Sequence, residues 1–186
     1  MPKLSPSGTC LSVRDARPSD HPAVRGVLLA AYREYASVLP PTAFDRYLAD
    51  LLDLDGRART GRLLVAERDR RVKGTVTYYD DAAAEGVGWP SGWAGLRALG
   101  VDPAARRLGV GRALMDACLE RARAAGAAVL CLHTAEFMTA AVAMYLGMGF
   151  RRVPSFDFDA ASHLRLGGRP IRVIAFRLDL PTDPST

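Results

Sequence analysis

The sequence predicts a mixed α/β fold that forms one domain. Segments with strand and helix patterns alternate from Leu11 to Leu180 in the order β-α-α-β-β-β-α-β-α-β-β. The chain has 186 residues, which suits a single domain, and 49% of them are apolar, as in globular proteins. We therefore expect a domain over residues 11–180, with flexible tails at 1–10, which is rich in Pro, Ser and Gly, and at 181–186.

The first third of the chain predicts a strand followed by two helices. Residues 11–17 alternate between apolar and polar side chains, and Pro18-Ser19-Asp20 is a helix-start signal. A helix is expected over residues 22–36, and a second helix begins at Thr42 after the Pro40-Pro41 break. The apolar faces of these two helices are Val24, Val27, Leu28, Ala31 and Tyr35, and then Phe44, Tyr47, Leu48, Leu51 and Leu52.

The rest of the chain predicts a hairpin and then strands that alternate with helices. After a polar turn at 56–61, a hairpin is expected with strands at 62–67 and 74–79 around a turn at 68–73. A loop at 80–92 follows, and then a strand at 93–101, a helix at 110–125, a strand at 127–134 and a helix at 139–146. Two closing strands are expected at 150–158 and 171–180, around a Gly167-Gly168 turn. Gly100 inside a strand indicates a bulge. Val110, Leu114, Cys118 and Ala122 form the inward stripe of the longest helix. Together these elements predict a central mixed sheet of six to seven strands with helices on both faces.

The composition argues against several classes of function. The 25 Lys and Arg residues outnumber the 20 Asp and Glu residues, which gives a net charge of +5. The basic residues are scattered among the acidic ones and form no aromatic–basic motif, so no nucleic-acid partner is expected. No apolar run reaches the roughly 18 residues of a membrane span. Cys10, Cys118 and Cys131 lie far apart without a CxxC pair, and the histidines complete no metal motif. We expect a cytoplasmic protein with no membrane partner and no metal ion.

Residues 106–114, with the sequence Arg-Arg-Leu-Gly-Val-Gly-Arg-Ala-Leu, join a predicted strand to the longest predicted helix. Gly109 and Gly111 let a ligand approach the backbone, and the helix start offers free N–H groups and the positive end of a dipole. The pattern indicates a site for a phosphate-bearing ligand. A nucleotide P-loop would need Lys and then Ser or Thr after Gly111, but this chain has Arg112 and Ala113 there, so a P-loop is excluded. A dinucleotide fingerprint would need a third glycine where Leu114 stands, so the pattern argues against it as well. A turn that uses glycine only for packing stays open at this point.

Two motifs in this order resemble those of a known family. Arg106-x-x-Gly109-x-Gly111 resembles the (Gln/Arg)-x-x-Gly-x-(Gly/Ala) signature of GNAT-type N-acetyltransferases, which bind acetyl-CoA. Leu99-x-Val101-x-Pro103 precedes it, as in the central strand of that family. The segment 140–150 resembles the family motif Ala-x-x-x-Tyr-x-x-x-Gly-Phe, with its tyrosine at Tyr145. The spacing of the motifs and the element order extend the resemblance over nearly the whole chain from Leu11.

The resemblance implies how acetyl-CoA binds. It implies a splay between the two central strands, where the backbone of Leu99 and Val101 pairs with the pantetheine amides and Gly100 fits the slot. The N–H groups of the turn surround the pyrophosphate, and they belong to Arg107, Leu108, Gly109, Val110, Gly111 and Arg112. Arg106, Arg107 or Arg112 adds charge-assisted contacts to phosphate.

The resemblance also implies the chemistry. Tyr145 matches the family tyrosine that lies near the sulfur of CoA and donates a proton to the leaving thiolate. Met138 stands where the family often has Asn, so an amide contact is missing. The general base stays open, because a chain of water molecules would serve as well as any of four candidates. These candidates are Glu67, Glu85, Glu136 and His133.

The acceptor implied by the resemblance is an amine of a small molecule or of a protein. Aromatic residues on the predicted acceptor side suit a hydrophobic or aromatic amine, and they are Tyr32, Tyr35, Tyr47, Trp89 and Trp93. The leading hypothesis is an N-acetyltransferase in which a primary amine attacks acetyl-CoA directly in a ternary complex. The alternatives are an acyl-CoA-binding sensor without catalysis and a basic interaction module without CoA. Homodimers are common in the family, and the sequence leaves the oligomeric state open.

Overall fold

The computed structural model describes residues 10–163 and 169–181. The strands are β1 (Leu11–Asp15), β2 (Arg62–Arg68), β3 (Arg71–Tyr79), β4 (Ala94–Val101), β5 (Val129–Ala135), β6 (Arg151–Arg152), β7 (Phe158–Asp159) and β8 (Arg172–Asp179). The helices are α1 (His21–Tyr32), α2 (Pro41–Leu52), α3 (Leu54–Ala58), α4 (Val110–Ala124), α5 (Thr139–Gly147) and α6 (Ala160–His163). Short 3-10 turns lie at Pro18–Asp20, Arg33–Ser37, Ala82–Glu85, Pro103–Ala105 and Pro154–Phe156. The Gly167-Gly168 turn and nearly all of both predicted tails lie outside the described residues.

All the strands belong to one mixed sheet, as the sequence predicts. The strand order is β1-β2-β3-β4-β5-β8-β6, and β7 also pairs with β8. The pair β4–β5 is parallel, and the other described pairs are antiparallel. Over residues 10–163 and 169–181 the sheet has eight strands, but β6 and β7 are only two residues long, so six long strands form most of it.

The two central strands separate after a short region of contact. Only Ala94–Leu96 of β4 pair with Leu130–Leu132 of β5. Beyond that point β4 stays with β3 as far as Val101, and β5 stays with β8 as far as Ala135. This divergence confirms the expected splay and opens a gap in the middle of the sheet.

A bulge distorts β4 beside this gap, although not at the residue expected. Arg97 pairs with Thr77 and Gly100 pairs with Thr75, so β4 has one residue more than β3 over this stretch. The strained backbone belongs to Ala98, whose φ is 54°. Gly100 itself keeps its partner. A Cβ there would lie 3.0 Å from Leu28 Cδ2, so α1 packs closely on the strand and a methyl group would require a small shift of that side chain.

Helices cover both faces of the sheet because successive residues of each strand point to opposite sides. On β2, Leu64 packs in the core that includes α4, whereas Leu63 packs in the core that includes α1, α2 and α3. The predicted stripe of α4 is confirmed, since all four of its residues are buried. Gly74 allows α4 to approach β3, because a Cβ there would lie 2.6 Å from Val110 Cγ1.

The structure corrects the prediction in two segments. Residues 56–61 were expected to be a polar turn, but α3 extends through Ala58 and leaves only residues 59–61 for the turn, and Arg57 is only 5% exposed. Its guanidinium donates to Thr77 Oγ1 at 3.1 Å and to the carbonyl of Asp50 at 2.8 Å, which anchors the helix. The expected strand at 150–158 is broken into β6 and β7, because Pro154 fixes its own φ and has no N–H to donate to the sheet.

Candidate functional site

A cavity of about 760 Å³ lies in the gap between β4 and β5. Residues from the β4 bulge, the glycine turn, α1, α2, α5 and the loop before β4 line it. The cavity therefore connects the predicted phosphate site with the predicted acceptor side. Tyr145 and nine of the ten predicted cofactor-binding residues are among its lining residues, the exception being Leu108, which is 47% exposed.

The glycine turn leaves the N-terminus of α4 open. Gly109 precedes the helix with φ 81°, a conformation that favours glycine, and nothing lies within 4 Å of the position its Cβ would take. The N-cap residue Gly109 has no side chain, so among the described residues no N-cap side chain occupies the first N–H groups of α4. These donors and the positive end of the helix dipole therefore stay available to an anion.

Gly111 is the second residue of α4 and lies between β4 and α5. A Cβ at this position would lie 3.5 Å from Met144 Sδ and 3.5 Å from Val101 Cγ2, which is ordinary contact. The free protein therefore has room for a methyl group here, and a larger side chain would fill the space between the strand and the helix. The turn fits a phosphate group of a ligand such as CoA, because glycine leaves both the donors and the space around them.

The three arginines of the turn have different surroundings. Arg106 forms an ion pair with Glu34 at 2.6 Å and donates to the carbonyl of Ala31 at 3.3 Å, which ties the turn to the end of α1. Arg112 pairs with Asp116 one turn along the exposed face of α4. Arg107 is exposed and has no ion pair among the described residues. Of the three, Arg107 is the cation that a phosphate group would meet without displacing a partner.

Tyrosine hydroxyls hold the β4 bulge in place. The hydroxyl of Tyr32 donates to the carbonyl of Leu99 at 2.9 Å. The hydroxyl of Tyr47 in turn donates to that of Tyr32, and the two rings meet edge to face with their centroids 5.7 Å apart. Burial raises the pKa of Tyr32 to about 12, so this chain of hydroxyls is uncharged at neutral pH. It links the acceptor side, formed by α1 and α2, to the strand that is predicted to bind CoA.

Tyr145 lies on α5 and is only 4% exposed. Its ring packs against Phe150 and Phe176, with centroid distances of 5.9 Å and 6.1 Å. Burial raises the pKa of Tyr145 far above its usual value of 10, so the phenol keeps its proton throughout the neutral range. It is suited to donate a proton and unsuited to act as a base.

Met138 lines the cavity at the position where an amide was expected from the family pattern. It is 6% exposed, and its Sδ lies 3.6 Å from Thr134 Oγ1, which donates to it. A thioether has no N–H to offer, so this position adds no hydrogen-bond donor to the cavity.

The predicted acceptor side of the cavity contains charged groups. Arg97 on β4 forms an ion pair with Asp50 on α2. Glu85 lies at the end of a 3-10 turn in the loop before β4, and its Oε1 is buried without a hydrogen-bond partner among the described residues. Burial raises the pKa of Glu85 from 4.5 to about 8.

His133 is held as a neutral side chain. Its Nε2 donates to the carbonyl of Phe156 at 2.8 Å, and its ring lies on that of Trp89 with a centroid distance of 4.2 Å. Burial lowers the pKa of His133 to about 4. Its Nδ1 is buried without a partner among the described residues, so it presents a lone pair.

The four candidate bases separate into two groups. Glu85 and His133 line the cavity. Glu67 pairs with Arg14 at 2.9 Å, and Glu136 pairs with Arg172 at 3.2 Å on the surface, and neither is among the described lining residues.

The predicted aromatic residues separate in the same way. Tyr32, Tyr35 and Tyr47 line the cavity, together with Phe137, which the sequence analysis did not single out. Among the described residues, the two tryptophans pack on each other behind His133 and do not line the cavity.

Within residues 10–163 and 169–181, no group of three or more His, Cys, Asp or Glu side chains is placed to hold a metal ion. In the same ranges no helix has both the length and the apolar character needed to cross a membrane.

Residues 27–150 match the model of the acetyltransferase (GNAT) family. The chain belongs to this GNAT acetyltransferase family. The protein is also 33% identical over 115 residues to a curated protein named IAA acetyltransferase from Azospirillum brasilense, a match that covers 57% of this chain and 71% of that protein.

Solved structures share the fold of this GNAT acetyltransferase. The PaiA N-acetyltransferase from Thermoplasma acidophilum, crystallised in complex with coenzyme A, has a TM-score of 0.71 at 13% identity, with 92% of this chain and 99% of that chain covered. The ribosomal-protein-alanine N-acetyltransferase from Brucella melitensis has a TM-score of 0.59 at 21% identity, with 91% and 99% covered. At these identities the likeness concerns the fold, and the acceptor of this GNAT acetyltransferase has to be argued from its own residues.

Proposed function

We propose that this GNAT acetyltransferase moves an acetyl group from acetyl-CoA to a primary amine, by direct attack of the amine in a ternary complex. The observation that carries the proposal is the uncapped N-terminus of α4, which opens into the same cavity as the buried phenol of Tyr145. Family membership supports the reaction class, and the solved relative in complex with coenzyme A supports the donor.

In this proposal two backbone segments bind acetyl-CoA. The turn from Arg107 to Arg112 surrounds the pyrophosphate with N–H donors, and Arg107 adds positive charge. The stretch Leu99-Gly100-Val101 binds the pantetheine arm along the open edge of β4, beyond the point where β5 leaves it. The hydrogen bond from Tyr32 to the carbonyl of Leu99 fixes the orientation of that peptide group.

Bound acetyl-CoA supplies the acetyl group as a thioester, with the thiolate of CoA as the leaving group. Tyr145 holds a proton at its Oη and is able to release it to a thiolate, because thiolates are stronger bases in an apolar site than in water. The rings of Phe150 and Phe176 pack against the ring of Tyr145 and restrict its movement.

A second candidate function is a CoA-binding sensor that does not catalyse transfer. Met138 favours it, since a thioether replaces the amide that the family often has at this position and removes a hydrogen-bond donor from the cavity. The retained Tyr145 favours the enzyme. The two functions differ in turnover, not in CoA binding.

Thermal unfolding with and without acetyl-CoA tests the binding step. At about 100 times the Kd, ligand binding adds about 2.7 kcal/mol to the free energy of unfolding, or about 5–10 °C in melting temperature. Gly111→Val fills the space between Val101 and Met144 and should abolish the shift. Gly26→Val is the matched control, because Gly26 is an exposed helical glycine with nothing within 4 Å of its Cβ position.

The same proteins are then mixed with acetyl-CoA and a panel of primary amines, and release of free thiol is followed. Thiol release that depends on the amine supports the enzyme. Stabilisation by acetyl-CoA without thiol release for any amine supports the sensor. A wild-type protein that acetyl-CoA does not stabilise at all contradicts both candidates, and a shift that survives in Gly111→Val contradicts the assignment of the turn.

A further inference from the structure

The part of the cavity away from the glycine turn has two different walls, and we call it the acceptor end. One wall is aromatic and consists of Tyr32, Tyr35, Tyr47 and Phe137. The other wall is polar and consists of Asp50, Glu85, Arg97 and His133. A ligand that fills the acceptor end therefore has to be apolar on one side and polar on the other.

Glu85 is held in the polar wall by a loop that hydrogen-bonds to itself. The side chain of Asp81 accepts from Ala83 N at 3.0 Å, from Ser91 Oγ at 2.7 Å and from Gly92 N at 3.3 Å. These bonds join the two ends of the loop and fix the 3-10 turn that ends at Glu85. The carboxyl of Glu85 is thus positioned by the fold of the loop and has a defined place on the sheet.

Gly95 on β4 provides the space for that carboxyl. A Cβ at Gly95 would lie 2.9 Å from Glu85 Oε1 and 2.7 Å from Ala82 Cβ, so any side chain there would push the loop away. Gly95 pairs with Cys131 of β5. His133 lies two residues after Cys131 on the same face of β5. It is therefore about 7 Å from Cys131, at a rise of about 3.3 Å per residue.

Two hydrogen-bond acceptors without partners therefore share this face of the sheet. Oε1 of Glu85 and Nδ1 of His133 are both buried, and neither has a partner among the described residues. Buried polar atoms of this kind normally have partners, so each of them calls for a donor from a ligand. An ammonium group offers three donors and no acceptor, which matches two acceptors on one face.

The charges around Glu85 also favour a cation. From α2 and β4, Asp50 and Arg97 face it, but they form an ion pair with each other. From β3 and β5, Tyr79 and Cys131 face it, and burial raises the pKa of each above its usual value, so both are neutral at neutral pH. The ionised carboxylate of Glu85 would thus have no cation of its own until a ligand brings one.

The aromatic wall is suited to a flat apolar body. Tyr32 meets Tyr47 edge to face at 5.7 Å, and Tyr35 meets Phe137 at 5.3 Å. Aromatic rings bury large apolar areas and also attract cations at their faces. An amine whose carbon skeleton is aromatic would contact this wall and present its nitrogen to the polar wall.

We propose that Glu85 binds the ammonium group of the acceptor and takes its proton, and that the acceptor is a primary amine on an aromatic body without a carboxylate. This inference rests on the function proposed above. In the step, one N–H bond of the ammonium breaks, its electron pair stays on nitrogen, and the proton moves to a carboxylate oxygen of Glu85. A carboxylate on the acceptor would add a further negative charge beside Glu85, where Arg97, the cation of this wall, is already paired with Asp50.

The properties of the carboxyl suit this transfer. An amine has a pKa near that of Lys, about 10.4, so transfer of its proton to an ordinary carboxylate is unfavourable by about 10⁶. Burial raises the pKa of Glu85 to about 8, which reduces the unfavourable ratio to about 10². Once formed, the neutral amine has a lone pair available for attack.

The test measures kcat/KM for 2-phenylethylamine, phenylalanine and ethanolamine by thiol release, from about pH 6 to about pH 10. It compares the wild type with Glu85→Gln and with the control Glu136→Gln, whose carboxylate is exposed and pairs with Arg172. We expect 2-phenylethylamine to be the preferred acceptor and Glu136→Gln to behave as the wild type.

For Glu85→Gln we expect kcat/KM to fall about 100-fold near pH 7 and only about 10-fold near pH 9, because solution then supplies the neutral amine. The melting shift with acetyl-CoA should be unchanged, since Glu85 lies away from the glycine turn. A loss of the same size at every pH would indicate a structural role and overturn the inference, as would a variant as active as the wild type.

Failure of the inference and failure of the proposed function are distinguishable in this experiment. If acetyl-CoA does not stabilise the wild type, the proposed function is wrong. If acetyl-CoA stabilises it and ethanolamine or phenylalanine is acetylated in preference to 2-phenylethylamine, the assigned acceptor class is wrong. If acetyl-CoA stabilises it and calorimetry detects no binding of 2-phenylethylamine, the inference is overturned as well.

Discussion

The buried carboxyl of Glu85 makes the stability of the free protein depend on pH, and Glu85→Gln should remove that dependence. Burial raises the pKa of this group from 4.5 to about 8. Each pKa unit corresponds to about 1.4 kcal/mol, so the difference between the folded and unfolded chains amounts to about 5 kcal/mol at most.

Whether the free energy of unfolding rises or falls with pH depends on which state, folded or unfolded, holds the proton of Glu85. Below about pH 4.5 the carboxyl is protonated in both states and has no effect. Between pH 4.5 and about pH 8 the folded protein keeps a proton that the unfolded chain has released, so the free energy of unfolding falls as the pH rises. Above about pH 8 the full destabilisation is present. Glutamine has a similar shape and does not ionise. The free energy of unfolding of Glu85→Gln should therefore rise relative to that of the wild type as the pH increases across this range.

Guanidinium unfolding followed by tryptophan fluorescence measures the effect, at several pH values from about 5 to about 8. The difference in free energy of unfolding between Glu85→Gln and the wild type should grow by about 4 kcal/mol over this range. Glu136→Gln serves as the control, because its carboxyl is exposed. Any constant effect of the amide cancels in the comparison. A difference that is the same at every pH would refute the reasoning.

Three further outcomes follow from the structure. Gly74→Ala should lower the free energy of unfolding by about 1–3 kcal/mol in chemical denaturation, because its Cβ would lie 2.6 Å from Val110 Cγ1; an unchanged midpoint would show that α4 shifts without loss. Tyr145→Phe should lower kcat and leave the acetyl-CoA melting shift unchanged, and unchanged kcat would remove this phenol as the proton donor. The hydrogen bonds of Asp20 with Arg14 lower its pKa to about 2, so they stabilise the protein above about pH 4 and are lost as the pH falls through about 2. Asp20→Asn should therefore be about 1 kcal/mol less stable than the wild type at pH 7, and thermal melts should show the gap closing near pH 2.

The parts of the fold that depend on local pattern could be predicted from the sequence. The stripe of α4 and the glycine turn before it depend on residues that are neighbours in the chain, and both are found where the pattern places them. The splay between β4 and β5 came from the resemblance to the family. Helix α3 was missed because Arg57 is buried through Thr77, which lies 20 positions away.

The site was predicted less completely, because its acceptor end is assembled by contacts between distant segments. Gly100 was interpreted as a bulge, but the bulge itself falls at Ala98, and Gly100 lies where α1 packs closely on β4. Glu85 was one of four candidates, and the sequence favoured the position of Glu136 and His133 without deciding among the four. Gly95, a second glycine inside β4, was the signal that could have distinguished it, since a glycine in a strand often marks a close approach.

The hydrogen bonds of Asp81 have a consequence for how this protein can be altered. They close the loop between β3 and β4 on itself, in addition to the packing of Ala82 and Trp89 against the sheet. That loop carries Glu85, whereas the glycine turn and Tyr145 belong to other segments of the chain. In the proposed function, the contribution of this loop to acceptor recognition is therefore encoded apart from donor binding. A library that varies only residues 83–88, and so keeps the hydrogen bonds of Asp81 and the buried Ala82 and Trp89, should change the acceptor preference and leave the affinity for acetyl-CoA unchanged.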